Sequence, residues 1–183
     1  MSLMEWGSPM PPEEPQQPRP ERHTIAVLVD NEPGVLARVI GLFSGRGYNI
    51  DSLTVTEVSR EANESRITIV TRGSPAIIEQ IKSQLGRLVP VHGVTDLTVK
   101  GDPIERELAL VKVAGKGEKR VESLRLAEAF RAQVVDATTE HFIFEITGRI
   151  SKIENFISLM KPLGLVEVAR TGAAAIARGA EPM

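Results

Sequence analysis

The chain contains no cysteine, so disulfides, thiolate nucleophiles and thiolate metal ligands are all excluded. Aromatic residues make up only 4% of its 183 positions, so any core must be built from Val, Ile, Leu and Ala. A large excess of either charge is also missing. The formal net charge is −2, and no run of Lys and Arg is interleaved with aromatics, which argues against a nucleic-acid surface. No apolar run reaches the roughly 18 residues of a membrane span, and the N-terminus lacks the basic-then-apolar order of a signal peptide. A cytoplasmic location is the expectation. Catalytic constellations are absent too. His23, His92 and His141 are scattered, Asp51, Asp96 and Asp136 form no pair tied to a pocket, and Gly115-Lys116-Gly117 lacks Walker spacing.

What is present divides into a tail and two similar halves. Residues 1–22 hold Pro9, Pro11, Pro12, Pro15, Pro18 and Pro20 among Glu and Gln, a composition expected to stay extended and disordered. His23 to Val29 is rich in β-branched residues and reads as a strand. A helix follows with Val35, Leu36, Val39, Ile40 and Phe43 on its inner face, ending at Gly45-Arg46-Gly47. Tyr48 to Val58 and Ser65 to Thr71 alternate apolar and polar side chains, each with one buried face, and should form a hairpin. Ser74-Pro75 opens a second helix with Ile77, Ile78, Ile81 and Leu85 inward, and Val94 to Val99 closes the unit as a strand.

The same β-α-β-β-α-β order then repeats. It runs through a strand at Glu107–Val113, a helix from about Glu118 to Arg131 and a hairpin over 133–147. A helix with a Ser151-to-Glu154 capping box and a closing strand at Leu165–Ala169 complete it. Val121, Leu124, Ala127 and Phe130 or Ala129 form the inner face expected for the third helix. The fold class is therefore α+β, two consecutive ferredoxin-like βαββαβ units, at 23–100 and 104–179.

The two units differ at one place. The first enters its helix through Asp30-Asn31-Glu32-Pro33-Gly34-Val35-Leu36, the second through Ala114-Gly115-Lys116-Gly117. In the first, Asn31 can cap the helix and Pro33 suits a first turn. A glycine at position 34 leaves the amides of Gly34, Val35 and Leu36 open to an anion, which the helix dipole favours. A small carboxylate is the natural guest. Asn-Glu-Pro-Gly also makes a good turn with no ligand, and local sequence leaves both readings open. Asn49, between a glycine-ended helix and a strand, suits turn geometry equally well.

From Asn31 through Val55 the chain resembles the amino-acid-binding ACT domain of acetolactate synthase (acetohydroxyacid synthase) small regulatory subunits. Ser65-Arg66-Ile67-Thr68-Ile69, Ile78-Glu79-Gln80-Ile81, Arg106 to Val113, Phe130 to Asp136 and Glu167 to Gly172 extend the resemblance over residues 23–179. The proline-rich tail and Ala173-Ala174-Ala175-Ile176 depart from the family pattern, which leaves the roles of both ends open.

The resemblance implies a non-catalytic subunit that activates the catalytic subunit and confers feedback inhibition by valine, in branched-chain amino acid biosynthesis. It implies a homodimer holding the amino acid between its N-terminal units. Asn31, Pro33, Gly34, Val35 and Leu36 of one chain would face Asn49 and Ile50 of the other. Thiamine diphosphate, Mg²⁺ and any FAD would belong to the catalytic partner and none to this chain. The alternative is a stand-alone ACT-type sensor serving another enzyme or a transcription factor.

Overall fold

The computed structural model describes residues 20–183. Of the tail expected at 1–22, residues 1–19 lie outside the described residues. Its last two, Glu21 and Arg22, are strand rather than tail, because they pair with Gly73 and Arg72 of a neighbouring strand.

The first unit comprises β1 (Glu21–Asp30), α1 (Val35–Arg46), β2 (Ser52–Ser59), β3 (Glu64–Gly73), α2 (Pro75–Leu85) and β4 (Val91–Asp96). Its antiparallel sheet has the order β2-β3-β1-β4, with all of β1 in register against β3. Side chains alternate across a strand, so Ile25, Val27 and Val29 face the helices and pack with Val39, Phe43, Ile78, Ile81 and Leu85. The Ser74 hydroxyl caps α2 and Pro75 stands in its first turn. Ile77, expected inward, is 36% exposed.

The second unit comprises β5 (Ile104–Val113), α3 (Glu118–Ala129), β6 (Gln133–Ala137), β7 (Phe142–Gly148), α4 (Ile150–Met160), β8 (Leu165–Arg170) and β9 (Ala174–Ile176). Strand order is β6-β7-β5-β8, with β9 pairing the start of β5. Ala109, Val111, Val113, Phe144 and Ile146 form its core with Ile153, Phe156 and Met160 of α4.

Several local expectations are corrected. Leu36 and Ile40, expected inward on α1, are 37% and 36% exposed, and the strand expected to end at Val99 ends at Asp96. Val121 is 51% exposed, and Ser123 takes the buried place on α3 by donating its hydroxyl to the Arg120 carbonyl at 2.7 Å. α4 begins one residue before Ser151, with Arg149 as its cap and no side-chain bond there, so the capping box is not used. β2 does not bury one face along its whole length. It is an edge strand, and Val55 is 44% exposed.

The Ala-rich segment is where the two units meet. β9 and the start of β5 lie over the helix-free face of the first sheet, where Ala26, Leu97 and Ala175 pack together. Arg66 donates to the Ala175 carbonyl at 2.7 Å, and the Thr54 hydroxyl donates to the Ala173 carbonyl at 3.0 Å. Ala173 N–H donates to the Ser52 hydroxyl at 3.0 Å. Small side chains permit this approach. At Gly172, with φ +83°, an added Cβ would stand 2.8 Å from Ser52 Oγ and 2.9 Å from Thr54 Cγ2.

Candidate functional site

The loop entering α1 is a tight turn, and its glycine has a backbone reason. Gly34 adopts φ 88° and ψ −10°, left-handed geometry, and Val35 N–H donates to the Glu32 carbonyl at 3.4 Å. Glu32-Pro33-Gly34-Val35 is therefore built as a type II turn, which requires a positive φ at its third residue and favours proline at its second. Two expectations change accordingly. Gly34 itself stands at the cap position with no side-chain bond, so Asn31 does not cap the helix. The Val35 amide is engaged in the turn, while the amides of Gly34 and Leu36 have no backbone partner among the described residues.

The loop faces outward. Asn31, Glu32, Pro33, Gly34 and Leu36 are exposed and only Val35 is buried. A Cβ added at Gly34 would meet nothing within 4 Å. Asn31 is tied to the sheet through its own N–H, which donates to the Asn63 carbonyl at 2.7 Å, so its side chain is free of capping duty. Beside it, Asp30 and His92 pair at 2.6 Å, and this carboxylate raises the His92 pKa above its ordinary value.

The second half of the expected site is elsewhere. Thr71 Oγ1 donates to the Asn49 carbonyl at 2.6 Å, and Thr71 is the register partner of His23. Asn31 instead follows Asp30, at the other end of β1. From His23 to Asp30 is seven strand steps, roughly 23 Å at about 3.3 Å per residue. One chain thus brings Asn31, Pro33, Gly34, Val35 and Leu36 together, and Asn49 with Ile50, but keeps the two groups apart. Asn49 is exposed, whereas Ile50 is half-buried against the first core.

Further residues near Asn49 escape local reading. Asn49 Nδ2 donates to Asp51 Oδ1 at 2.7 Å, and Arg72 Nε donates to Asp51 Oδ2 at 2.8 Å. Arg72 in turn lines a cleft between the two units with Glu154 of α4. Nothing in the spacing of positions 51, 72 and 154 announces this meeting. Among the described residues no group of three or more His, Cys, Asp or Glu is arranged to hold a metal ion. No helix among them is long and apolar enough to cross a membrane.

Two consecutive βαββαβ units, the first entering its helix through an exposed glycine turn, define a ferredoxin-like α+β protein. The family model described as the AHAS small subunit-like ACT domain matches residues 25–93, and the one described as the small subunit of acetolactate synthase matches 106–179. The acetolactate synthase small subunit of Aquifex aeolicus is 46% identical over 86% of this chain and 81% of its own length. The isozyme 3 small subunit of Escherichia coli is 42% identical over 86% of this chain and 96% of its own. The crystal structure of the acetolactate synthase small subunit from Thermotoga maritima superposes with a TM-score of 0.78 at 41% identity, covering 88% of this chain and 99% of that one. The chain belongs to the acetolactate synthase small subunit family.

Proposed function

We propose that this chain is a non-catalytic regulatory subunit that activates the catalytic subunit of acetolactate synthase and makes it sensitive to valine. The observation that carries the effector site is the separation of its halves. Asn31 and the open amides of α1 stand at one end of the sheet, Asn49 and Ile50 at the other. The sheet's edges are β2 and β4, and β2 is the one that spans from the Asn49 end to the Asn31 end, with Val55 half-exposed on it. Two copies pairing antiparallel along β2 run in opposite directions, so the Asn31 end of one meets the Asn49 end of the other. Such pairing also covers an edge that would otherwise be open.

At that interface a branched-chain amino acid finds what its zwitterion needs. The amides of Gly34 and Leu36 and the dipole of α1 favour its carboxylate, and an Asn oxygen accepts from its ammonium. Leu36 and Ile50 supply an aliphatic wall for a small apolar side chain. Valine would then favour one arrangement of the paired sheets, with a coupling of about 1–3 kcal/mol typical of such systems. Thiamine diphosphate, Mg²⁺ and any FAD sit in the catalytic partner, and the complex works in the cytoplasm.

The test is acetolactate formation by the cognate catalytic subunit, with and without this chain, across a valine titration. Activation reversed by valine is expected. No activation and no valine effect would overturn the reading and shift the weight to a stand-alone amino-acid sensor.

A further inference from the structure

Between the two units lies a cleft whose adjoining lobes measure about 510 and 310 Å³, and both lobes are lined by Arg22, Arg72, Ile150 and Glu154. Its wall reaches the Asn49 half of the effector site through one carboxylate. Asp51 takes Arg72 on Oδ2 at 2.8 Å and the Asn49 amide on Oδ1 at 2.7 Å. An ionised carboxylate only accepts hydrogen bonds, so the NH₂ of Asn49 must face it and the amide oxygen must point away. The main chain is fixed as well, because the buried Thr71 hydroxyl donates to the Asn49 carbonyl at 2.6 Å. The oxygen left over, Asn49 Oδ1, has no hydrogen-bond partner among the described residues and belongs to an exposed side chain.

Resting on the effector reading above, we propose that Asp51 and Arg72 are positioning residues that turn the Asn49 amide so that its oxygen accepts from the effector's ammonium, and that Glu154 tunes them from the second unit. An amide released from Asp51 samples both orientations, and one of them aims N–H groups at the ammonium. Arg72 holds Asp51 in place and offsets its charge. Glu154, on α4, belongs to the other unit yet faces the same cleft as Arg72. Across that cleft its carboxylate faces the guanidinium groups of Arg72 and Arg170. The second unit thereby acquires a route to the effector site that needs no contact with the effector.

The experiment is an NMR titration of the full chain with valine and with 3-methylbutanoate, which keeps the carboxylate and branched chain but lacks the ammonium. Asp51→Asn should raise the valine Kd about tenfold and leave 3-methylbutanoate unchanged, the size expected for misdirecting one hydrogen bond to a charged group. Arg72→Gln, at a more exposed position, should act in the same direction and on valine alone, which keeps the test decisive if Asp51→Asn fails to fold. Glu154→Gln should shift the valine Kd about two- to threefold with no change in 3-methylbutanoate, as a charge acting across solvent does. Equal weakening of both ligands would show a merely structural role and overturn the inference, as would no effect on either. A wild-type chain that binds no valine would instead remove the effector reading itself.

Discussion

Arg22 and Arg72 stand directly opposite each other across β1 and β3, on the helix-free face of the first sheet. Like charges in that position destabilise a sheet unless each finds its own partner. Here each does. Arg72 turns to Asp51 within its own unit, while Arg22 reaches Glu105 of the second unit through contacts of 3.3 and 3.1 Å. Glu105 also accepts from the hydroxyl of Thr24, which is fully buried. The first sheet therefore depends on β5 for its electrostatic balance.

Glu105→Ala should accordingly destabilise the protein by about 2 kcal/mol, since it strands a buried hydroxyl and leaves a half-buried guanidinium unpaired. Thermal unfolding of the variant checks this. A double cycle with Arg22→Ala should return a coupling of about 1.5 kcal/mol, the low end of the range for hydrogen bonds to charged groups. A melting temperature equal to wild type would mean that the interface does not rest on this pair.

Gly34→Asp tests the first half of the site. The position is exposed, has no neighbour within 4 Å and carries φ +88°, a conformation that Asp tolerates better than most side chains. The protein should therefore fold, losing about 1 kcal/mol. A carboxylate placed beside the open amides should abolish valine inhibition while activation persists. Unchanged inhibition in that variant would remove the helix terminus from the site.

Much of the fold is written in local pattern. Ile25, Val27 and Val29 alternate, and Val39 and Phe43 recur at helical spacing, so their burial follows from period alone. The second half repeats that grammar. What escaped is nonlocal. Alanines 174 and 175 carry no strand signal, and β9 forms by pairing with Ile104–Arg106 while Ala173, just before it, bonds Ser52 and Thr54. At the site, local sequence allows Gly34 either as an opening for a ligand or as part of a turn, and its φ of 88° shows that the turn itself demands glycine. Asn31 suits a cap by composition, but the turn places the helix cap three residues later, at Gly34. Asp51, Arg72 and Glu154 meet only once two units have folded against each other, so no spacing rule finds them.

The pair His92–Asp30 adds a pH dependence next to Asn31. Asp30 accepts from the imidazole at 2.6 Å and raises its pKa above the ordinary 6.5, with hydrogen bonding the larger cause and charge the next. A pKa raised in the folded state contributes stability that is fully present below the unfolded value and fades as pH rises through the folded one. The contribution is therefore complete below about pH 6.5 and fades as the pH rises from there through the raised folded value. Proton NMR titration of His92 should show a midpoint above 6.5 that falls in Asp30→Asn. A midpoint indifferent to that substitution would show that the pair does not persist in solution.

Gly172→Ala probes how the two units are held together. Gly172 sits at φ +83°, and its missing Cβ is the space occupied by Ser52 Oγ and Thr54 Cγ2. Alanine there meets both a strained backbone and two atoms closer than 3.0 Å. Neither obstacle is at the far end of a flexible chain, so the segment leading into β9 must lift. Lifting it breaks the bonds from Ala173 to Ser52 and Thr54 and uncovers Ala26 and Leu97, which pack with Ala175. The expected cost is about 2–3 kcal/mol, combining overpacking with lost hydrogen bonds. Hydrogen exchange gives the sharper test, because the amide of Ala173 should lose protection while the amides joining β1 to β3 keep theirs. Uniform loss across both sheets would mean that the ribbon and the first unit unfold as one.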